Sequence, residues 1–179
     1  MNIVVYCSAQ DGLDEKYQQL AATLGQWIGE NNHTLVYGGV KSGLMHVTAL
    51  AVHEAGGRCV GIIPEIFLHR LDSLCDEVVT TRDLADRKQR MIAQGDVFIV
   101  LPGGIGSLDE WISTLTVLCI GDDDHRPIIV ANLDGLYDAT IQQLYNLSHT
   151  PFARGKDLTR TLIAHSSHEL LQTLDHITS

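Results

Sequence analysis

The sequence predicts an α/β protein built on a doubly wound, mostly parallel β-sheet with helices on both faces. Three observations lead there. Short apolar runs alternate with longer stretches of helical periodicity along the chain, the signature of successive βαβ units. The apolar runs are rich in Val and Ile with little polar alternation, as in strands covered on both faces. No linker, internal repeat or low-complexity stretch interrupts the pattern, so residues 1–179 are expected to form one domain.

Taken in order, Asn2–Cys7 reads as the first strand. Leu13–Asn31 follows as a helix, with Leu20, Leu24, Trp27 and Ile28 at helical spacing. His33–Tyr37 is the second strand, Ser42–Ala55 the second helix and Cys59–Ile63 the third strand. Pro64–Cys75 shows neither period and is expected to be irregular, ahead of a short strand at Glu77–Thr80. Asp83–Gln94 reads as a helix and Asp96–Leu101 as the most hydrophobic strand. Ser107–Ile120 is a helix with Trp111, Leu115, Leu118 and Cys119 on its apolar side. A strand at Pro127–Ala131, a helix at Leu136–Leu147, a strand at Thr161–Ala164 and a helix at Ser167–His176 complete the series.

The charge balance narrows the function. The chain carries 12 basic and 22 acidic side chains, a net charge of −10, and no block of Lys and Arg. A nucleic-acid partner is not expected. An anionic ligand would need local donors that overcome the overall field. No stretch approaches the ~20 apolar residues of a membrane span, and the opening "MNIVVYCSAQ" lacks the basic region of a signal peptide. Cys7, Cys59, Cys75 and Cys119 form no CxxC pair and match no zinc spacing. They read as reduced thiols in a cytoplasmic protein. His165 and His168 have no evident third ligand nearby, so no metal is expected.

In a sheet of this kind, ligands bind beyond the C-terminal ends of the strands, where the strand order switches. The candidate loops are therefore "CSAQDG", "YGGVKSG" and "LPGGIGS". In the third, Gly103, Gly104 and Gly106 allow close approach of a ligand to the backbone. Ser107 is a good N-cap, and Glu110 three residues on would complete a capping box. A helix starting there turns unsatisfied N–H groups and a partial positive charge toward the loop, an anion site made mainly of backbone. Glu110 has two readings: a capping-box member, or a carboxylate facing the ligand. The second loop is not a Walker A motif, because Val40 stands where Gly must precede Lys-Ser. In "DLADRKQRM", Asp83–Arg87 and Asp86–Arg90 stand at i,i+4 spacing. That helix face is either self-paired and solvated, or it brings Arg87 or Lys88 to an anionic substrate.

Taken together, "YGGVKSGLM", "DRKQRM" and "PGGIGSLDE" resemble the Lonely Guy family. Its pattern runs roughly YGGGxxGLMG, then RKxxM, then PGGxGTxxE, and the resemblance reaches from the first strand to about Tyr137. Members are cytokinin riboside 5′-monophosphate phosphoribohydrolases, often mislabelled as lysine decarboxylases. The resemblance implies a Rossmann-like sheet without a dinucleotide, no cofactor, a nucleoside 5′-monophosphate substrate and a homodimer with sites near the interface. Arg87 and Glu110 fall on the family's catalytic pair, and Gly103, Gly104, Gly106 and Ser107 on its phosphate loop. Lys88 matches a substrate contact, and Thr116 matches a threonine of the following helix. Val40 replaces the third Gly, His46 the Gly after Leu-Met, and Ser107 a Thr. Ser107 keeps the hydroxyl; Val40 and His46 are expected to narrow the loop beside the nucleotide and to bear on base preference and activity.

The implied reaction is hydrolysis of the N-glycosidic bond, giving free base and ribose 5-phosphate. The alternative is a nucleotide-binding or carrier module of the same fold without turnover. A decarboxylase dependent on pyridoxal phosphate would need a Schiff-base lysine and normally a far larger chain; only Lys16, Lys41, Lys88 and Lys156 are present.

Overall fold

The computed structural model describes residues 1–120, 124–152 and 161–178. Seven strands form one sheet: β1 (Asn2–Tyr6), β2 (Thr34–Tyr37), β3 (Arg58–Pro64), β4 (Glu77–Thr81), β5 (Val97–Val100), β6 (Ile128–Ala131) and β7 (Thr161–Ala164). Their order is β4-β3-β2-β1-β5-β6-β7, and every pairing is parallel. The expected mostly parallel sheet is thus wholly parallel, and the alternation of elements follows the sequence reading throughout. Among the described residues six α-helices cover it: α1 (Glu15–Glu30), α2 (Gly43–Glu54), α3 (Leu84–Gln94), α4 (Ile105–Ile120), α5 (Asp138–Ser148) and α6 (Ser167–Thr178).

Residue alternation in the strands creates two cores. Ile3, Val5 and Cys7 face the layer of α1, α2 and α6, with Leu24, Ile28, Leu44 and Leu170. Val4 and Tyr6 face the layer of α3, α4 and α5, with Met91, Trp111 and Leu115. This is why the five inner strands lack polar alternation: both faces of each are buried, whereas the edge strands β4 and β7 are partly exposed. α1 and α2 pack closely because Gly25 and Gly29 present bare backbone. A β-carbon on Gly25 would overlap the Thr48 carbonyl, and one on Gly29 would come within 2.5 Å of the Ala55 β-carbon.

The strand order fixes where a ligand can sit. From β1 the chain winds outward through β2, β3 and β4, then crosses back to lay β5 on the other side of β1. The loops leaving β1 and β5 diverge there, opening the crevice expected of such a switch. Their bases stay joined, with Leu101 N–H donating to Tyr6 O (2.9 Å) and Ser8 N–H to Pro102 O (3.2 Å).

Two local expectations are corrected. α4 begins at Ile105, not Ser107. Gly104 accepts the first helical bond from Leu108 (3.1 Å), so Ser107 lies inside the first turn. Pro64–Cys75 is not wholly irregular: Glu65–Arg70 forms a 3₁₀ turn, and Val40 and Leu71 form an isolated antiparallel bridge. Among the described residues no helix is long and apolar enough to cross a membrane.

A Gly25→Val substitution is expected to lower folding stability by about 1–3 kcal/mol through overpacking of the α1–α2 contact. Urea denaturation followed by circular dichroism measures it; an unchanged midpoint would show that the helices separate freely.

Candidate functional site

A cavity of about 350 Å³ lies at the crevice beyond β1 and β5. Each wall comes from a different strand end. Cys7–Gln10 follow β1, Val40 and Met45 follow β2, and Phe67 and Arg70 follow β3. Leu84 and Arg87 belong to α3, and Gly104–Ser107 with Glu110 form the start of α4. Three helices, α2, α3 and α4, therefore begin at this cavity. The starts of α2 and α3 are already capped, Gly43 N–H by Asp11 (2.8 Å) and Asp86 N–H by Asp83 (2.8 Å), so it is the α4 terminus that offers open N–H groups and partial positive charge in an acidic chain.

The glycine turn before α4 is held from behind. Tyr137 donates its hydroxyl to Leu101 O (2.9 Å) and, more weakly, to Gly103 O (3.4 Å). Gly103 must be glycine, because a β-carbon there would overlap the Ser107 hydroxyl and come within 3.2 Å of Ser8 N. Gly103 itself stands behind the cavity wall that Gly104, Gly106 and Ser107 form. The Ser107 hydroxyl has no hydrogen-bond partner among the described residues.

Across the cavity floor, Arg87 Nη2 donates to Glu110 Oε1 at 2.6 Å, with the side chains 12% and 4% exposed. Both are charged groups taken out of water, a costly placement that only close pairing sustains. Burial pushes the Glu110 carboxyl up to about 7, and the Arg87 charge opposes that rise. Arg87 Nε is buried without a partner. Gly38 lies beside the pair: a β-carbon there would press on Met45 (3.0 Å) and lie in ordinary contact with Arg87 Nη1 (3.5 Å).

These contacts correct two pairings. Ser107 and Glu110 do not form a capping box: both lie within α4, and the Glu110 carboxylate takes Arg87 instead. Asp83 and Arg87 do not pair; Asp83 caps α3 by accepting from Asp86 N–H (2.8 Å). The Asp86–Arg90 pair forms, at 2.9 Å.

The candidate residues separate into two groups. Arg87, Glu110, Gly104, Gly106 and Ser107 meet at the cavity. Lys88 lies outside its lining, bridging α3 to α4 through Asp109 (2.6 Å) and Ser113 (3.1 Å). Thr116 is also outside, its hydroxyl donating to Ile112 O (2.7 Å). Val40 lines the cavity as expected, but His46 does not: its Nδ1 lies 2.7 Å from the buried Asp72 carboxylate. Sequence reasoning did not single out Gly38, Phe67 or Arg70. Arg70 sits in a stretch with neither helical nor strand period, where spacing carries no information about direction. Among the described residues, no group of three or more His, Cys, Asp or Glu side chains could hold a metal ion.

The all-parallel sheet with a cavity at its switch point defines a Rossmann-like α/β protein, with its crevice where such folds bind ligands. The chain belongs to the Lonely Guy family, whose model, described as "Possible lysine decarboxylase", matches residues 45–174. It is 36% identical over 141 residues to the cytokinin riboside 5′-monophosphate phosphoribohydrolase LOG3 of Arabidopsis thaliana. That match covers 78% of this chain and 65% of the relative, so the chain spans somewhat less than two thirds of that protein. Arabidopsis LOG5, named for the same activity, is 32% identical over 175 residues, covering 97% of this chain and 76% of its own length. Among solved structures, the molybdenum cofactor binding protein from Rippkaea orientalis superposes with a TM-score of 0.77 at 23% identity. It covers 99% of this chain and 97% of that one, and shows the shared fold.

The Glu110 carboxyl is expected to titrate near pH 7, above the ordinary glutamate value. Arg87→Met should move the midpoint higher, because Arg87 favours the ionised form. Carbon NMR of labelled glutamate reads both; a wild-type midpoint near 4.5, the ordinary value, would refute the burial argument.

Proposed function

We propose that the protein hydrolyses the N-glycosidic bond of a nucleoside 5′-monophosphate, such as AMP or a cytokinin riboside monophosphate, to free base and ribose 5-phosphate. The observation that carries this is the Arg87–Glu110 pair, buried across a cavity from the open N-terminal turn of α4. The 5′-phosphate binds at Gly104, Gly106 and Ser107, with Gly103 shaping the turn behind them. The apolar walls around Val40, Met45 and Phe67 take the base. The ribose then lies between the two, against Glu110.

Breaking the bond builds positive charge on the ribose ring and negative charge on the departing base. The Glu110 carboxylate stabilises the ring cation and orients the attacking water. Arg87 holds that carboxylate and lies within reach of the substrate. Phosphate binding energy, gained away from the breaking bond, sets the sugar in place. The chain's own residues do not suit pyridoxal phosphate, because no lysine lines the cavity among the described residues.

We also propose a homodimer through the outer face of α4. Ile105, Ile112, Thr116 and Ile120 share one side of that helix at helical spacing. Ile105 and Ile120 are 82% and 68% exposed, which is costly for a face without a partner. Thr116 on this face, like the bridging Lys88, would meet substrate only near such an interface.

Incubation with AMP and with adenosine tests the activity, with free base measured by chromatography. AMP should be cleaved with kcat/KM about 100-fold or more above adenosine. Glu110→Gln should lower kcat by about 10²–10³-fold, and wild-type turnover should fall as pH drops through about 7 because the carboxylate is the working form. Equal rates on both substrates would refute the phosphate anchor. AMP bound without base release would favour the carrier reading. In sedimentation, wild type should run as a dimer and Ile120→Asp as a monomer; a monomeric wild type would refute the interface.

A further inference from the structure

We infer that Arg70 is the cation that closes the phosphate end of the cavity and selects a terminal phosphate monoester. The inference rests on the reading that the cavity takes a nucleoside 5′-monophosphate, and it adds a residue from outside the three glycine-rich motifs.

Two arginines line the cavity, and they are not equivalent. Arg87 is committed to Glu110 at 2.6 Å, so its charge is cancelled whenever that carboxylate is ionised. Arg70 has no carboxylate within 4.0 Å among the described residues. Its guanidinium donates once, from Nη2 to the Ser42 hydroxyl at 2.9 Å. An arginine has five N–H donors, so most of the fork stays open at the cavity mouth.

The backbone that carries Arg70 is stitched down on both sides. Lys41 N–H donates to Arg70 O (2.9 Å), and Asp72 N–H donates to Gly39 O (2.8 Å). Between them Val40 pairs with Leu71. The Asp72 carboxylate then takes His46 Nδ1 (2.7 Å) and Leu74 N–H (3.2 Å). The side chain is aimed as well as the backbone. Ser42, which accepts from Arg70, donates in turn to Ala9 O (2.8 Å) in the loop after β1. That loop shares the cavity with the start of α4.

Charge decides what this arrangement suits. A helix N-terminus offers roughly half an elementary charge, whereas a phosphate monoester near neutrality carries about −1.5 to −2. In a chain of net charge −10, the α4 terminus alone leaves much of that charge uncompensated. Arg70 supplies a whole positive charge, in a planar fork that matches two phosphate oxygens. A neutral nucleoside gains nothing from it.

The test compares Arg70→Gln and Arg70→Lys with wild type, by calorimetric binding of ribose 5-phosphate and by kinetics on AMP and adenosine. Arg70→Gln should bind ribose 5-phosphate about 10- to 100-fold more weakly. It should raise KM for AMP by a similar factor, hold kcat within about threefold, and leave the rate on adenosine unchanged. Arg70→Lys, which keeps the charge but not the fork, should fall between. Unchanged affinity for ribose 5-phosphate in Arg70→Gln overturns the proposal, as does an adenosine rate that falls in step with the AMP rate, the mark of a merely structural role. Arg70-dependent binding of ribose 5-phosphate by a protein that leaves AMP intact would sustain Arg70's role and sink the hydrolase reading instead.

Discussion

The buried Arg87–Glu110 contact is the constraint around which the cavity is organised. It joins α3 to α4 across the floor of the crevice, with both side chains almost wholly out of water. A pair in that position contributes little net stability over an apolar pair of the same shape. Removing one partner is a different matter, since it strands a buried charge at a cost of about 3–5 kcal/mol. Neighbouring features serve the pair. Asp83 caps α3, whose first turn carries Arg87 inward, and Arg87 N–H donates to Asp83 O (3.1 Å). Thr114 bonds both the Glu110 carbonyl and the buried Tyr6 hydroxyl, each at 2.8 Å, tying that turn of α4 to the central strand.

The electrostatics of the site follow from where helices begin. An acidic chain repels anions at long range, and screening limits that field to about 10 Å at ordinary ionic strength. Inside the crevice the local donors decide. One uncapped helix start, an open glycine turn and an arginine without a carboxylate partner among the described residues face a pocket whose other walls are mostly apolar apart from Ser8, Gln10 and the Arg87–Glu110 pair. Glu110, at the junction of these two regions, feels burial more strongly than it feels Arg87, and its carboxyl is held near neutrality as a result. Small changes in that balance move it between its acid and base forms.

Much of this was legible in the sequence, and the failures have physical causes. Alternating apolar runs gave the parallel sheet, because strands dry on both faces must be apolar at every position. Glycine turns at strand ends gave the location of the cavity. The start of α4 lies outside that reading because Ser107 and Glu110 have the spacing of a capping box; the backbone instead takes its first helical bond at Gly104, three residues before Ser107. Local spacing likewise offered Asp83 to Arg87, and tertiary packing gave Arg87 to a residue on another helix. Arg70 was out of reach for a further reason. Its direction depends on antiparallel contacts between the segments after β2 and β3, and no periodicity encodes those.

The two departures from the family pattern in the second loop take on meaning from those same contacts. Val40 and His46 were expected to crowd the nucleotide. Val40 lines the cavity and His46 does not, and both touch the segment that carries Arg70: Val40 through its bridge to Leu71, His46 through its contact with Asp72. A β-branched residue suits an extended bridge better than glycine, which loses more freedom on being fixed. Asp72 has a fully buried side chain, and with glycine at position 46 its carboxylate would keep, among the described residues, only the Leu74 N–H. A buried carboxylate so poorly satisfied would be expensive to retain. Val40, His46 and Asp72 therefore work as one set: they pin a segment without regular secondary structure of its own at the bridge, and they keep the guanidinium it bears at the mouth of the cavity.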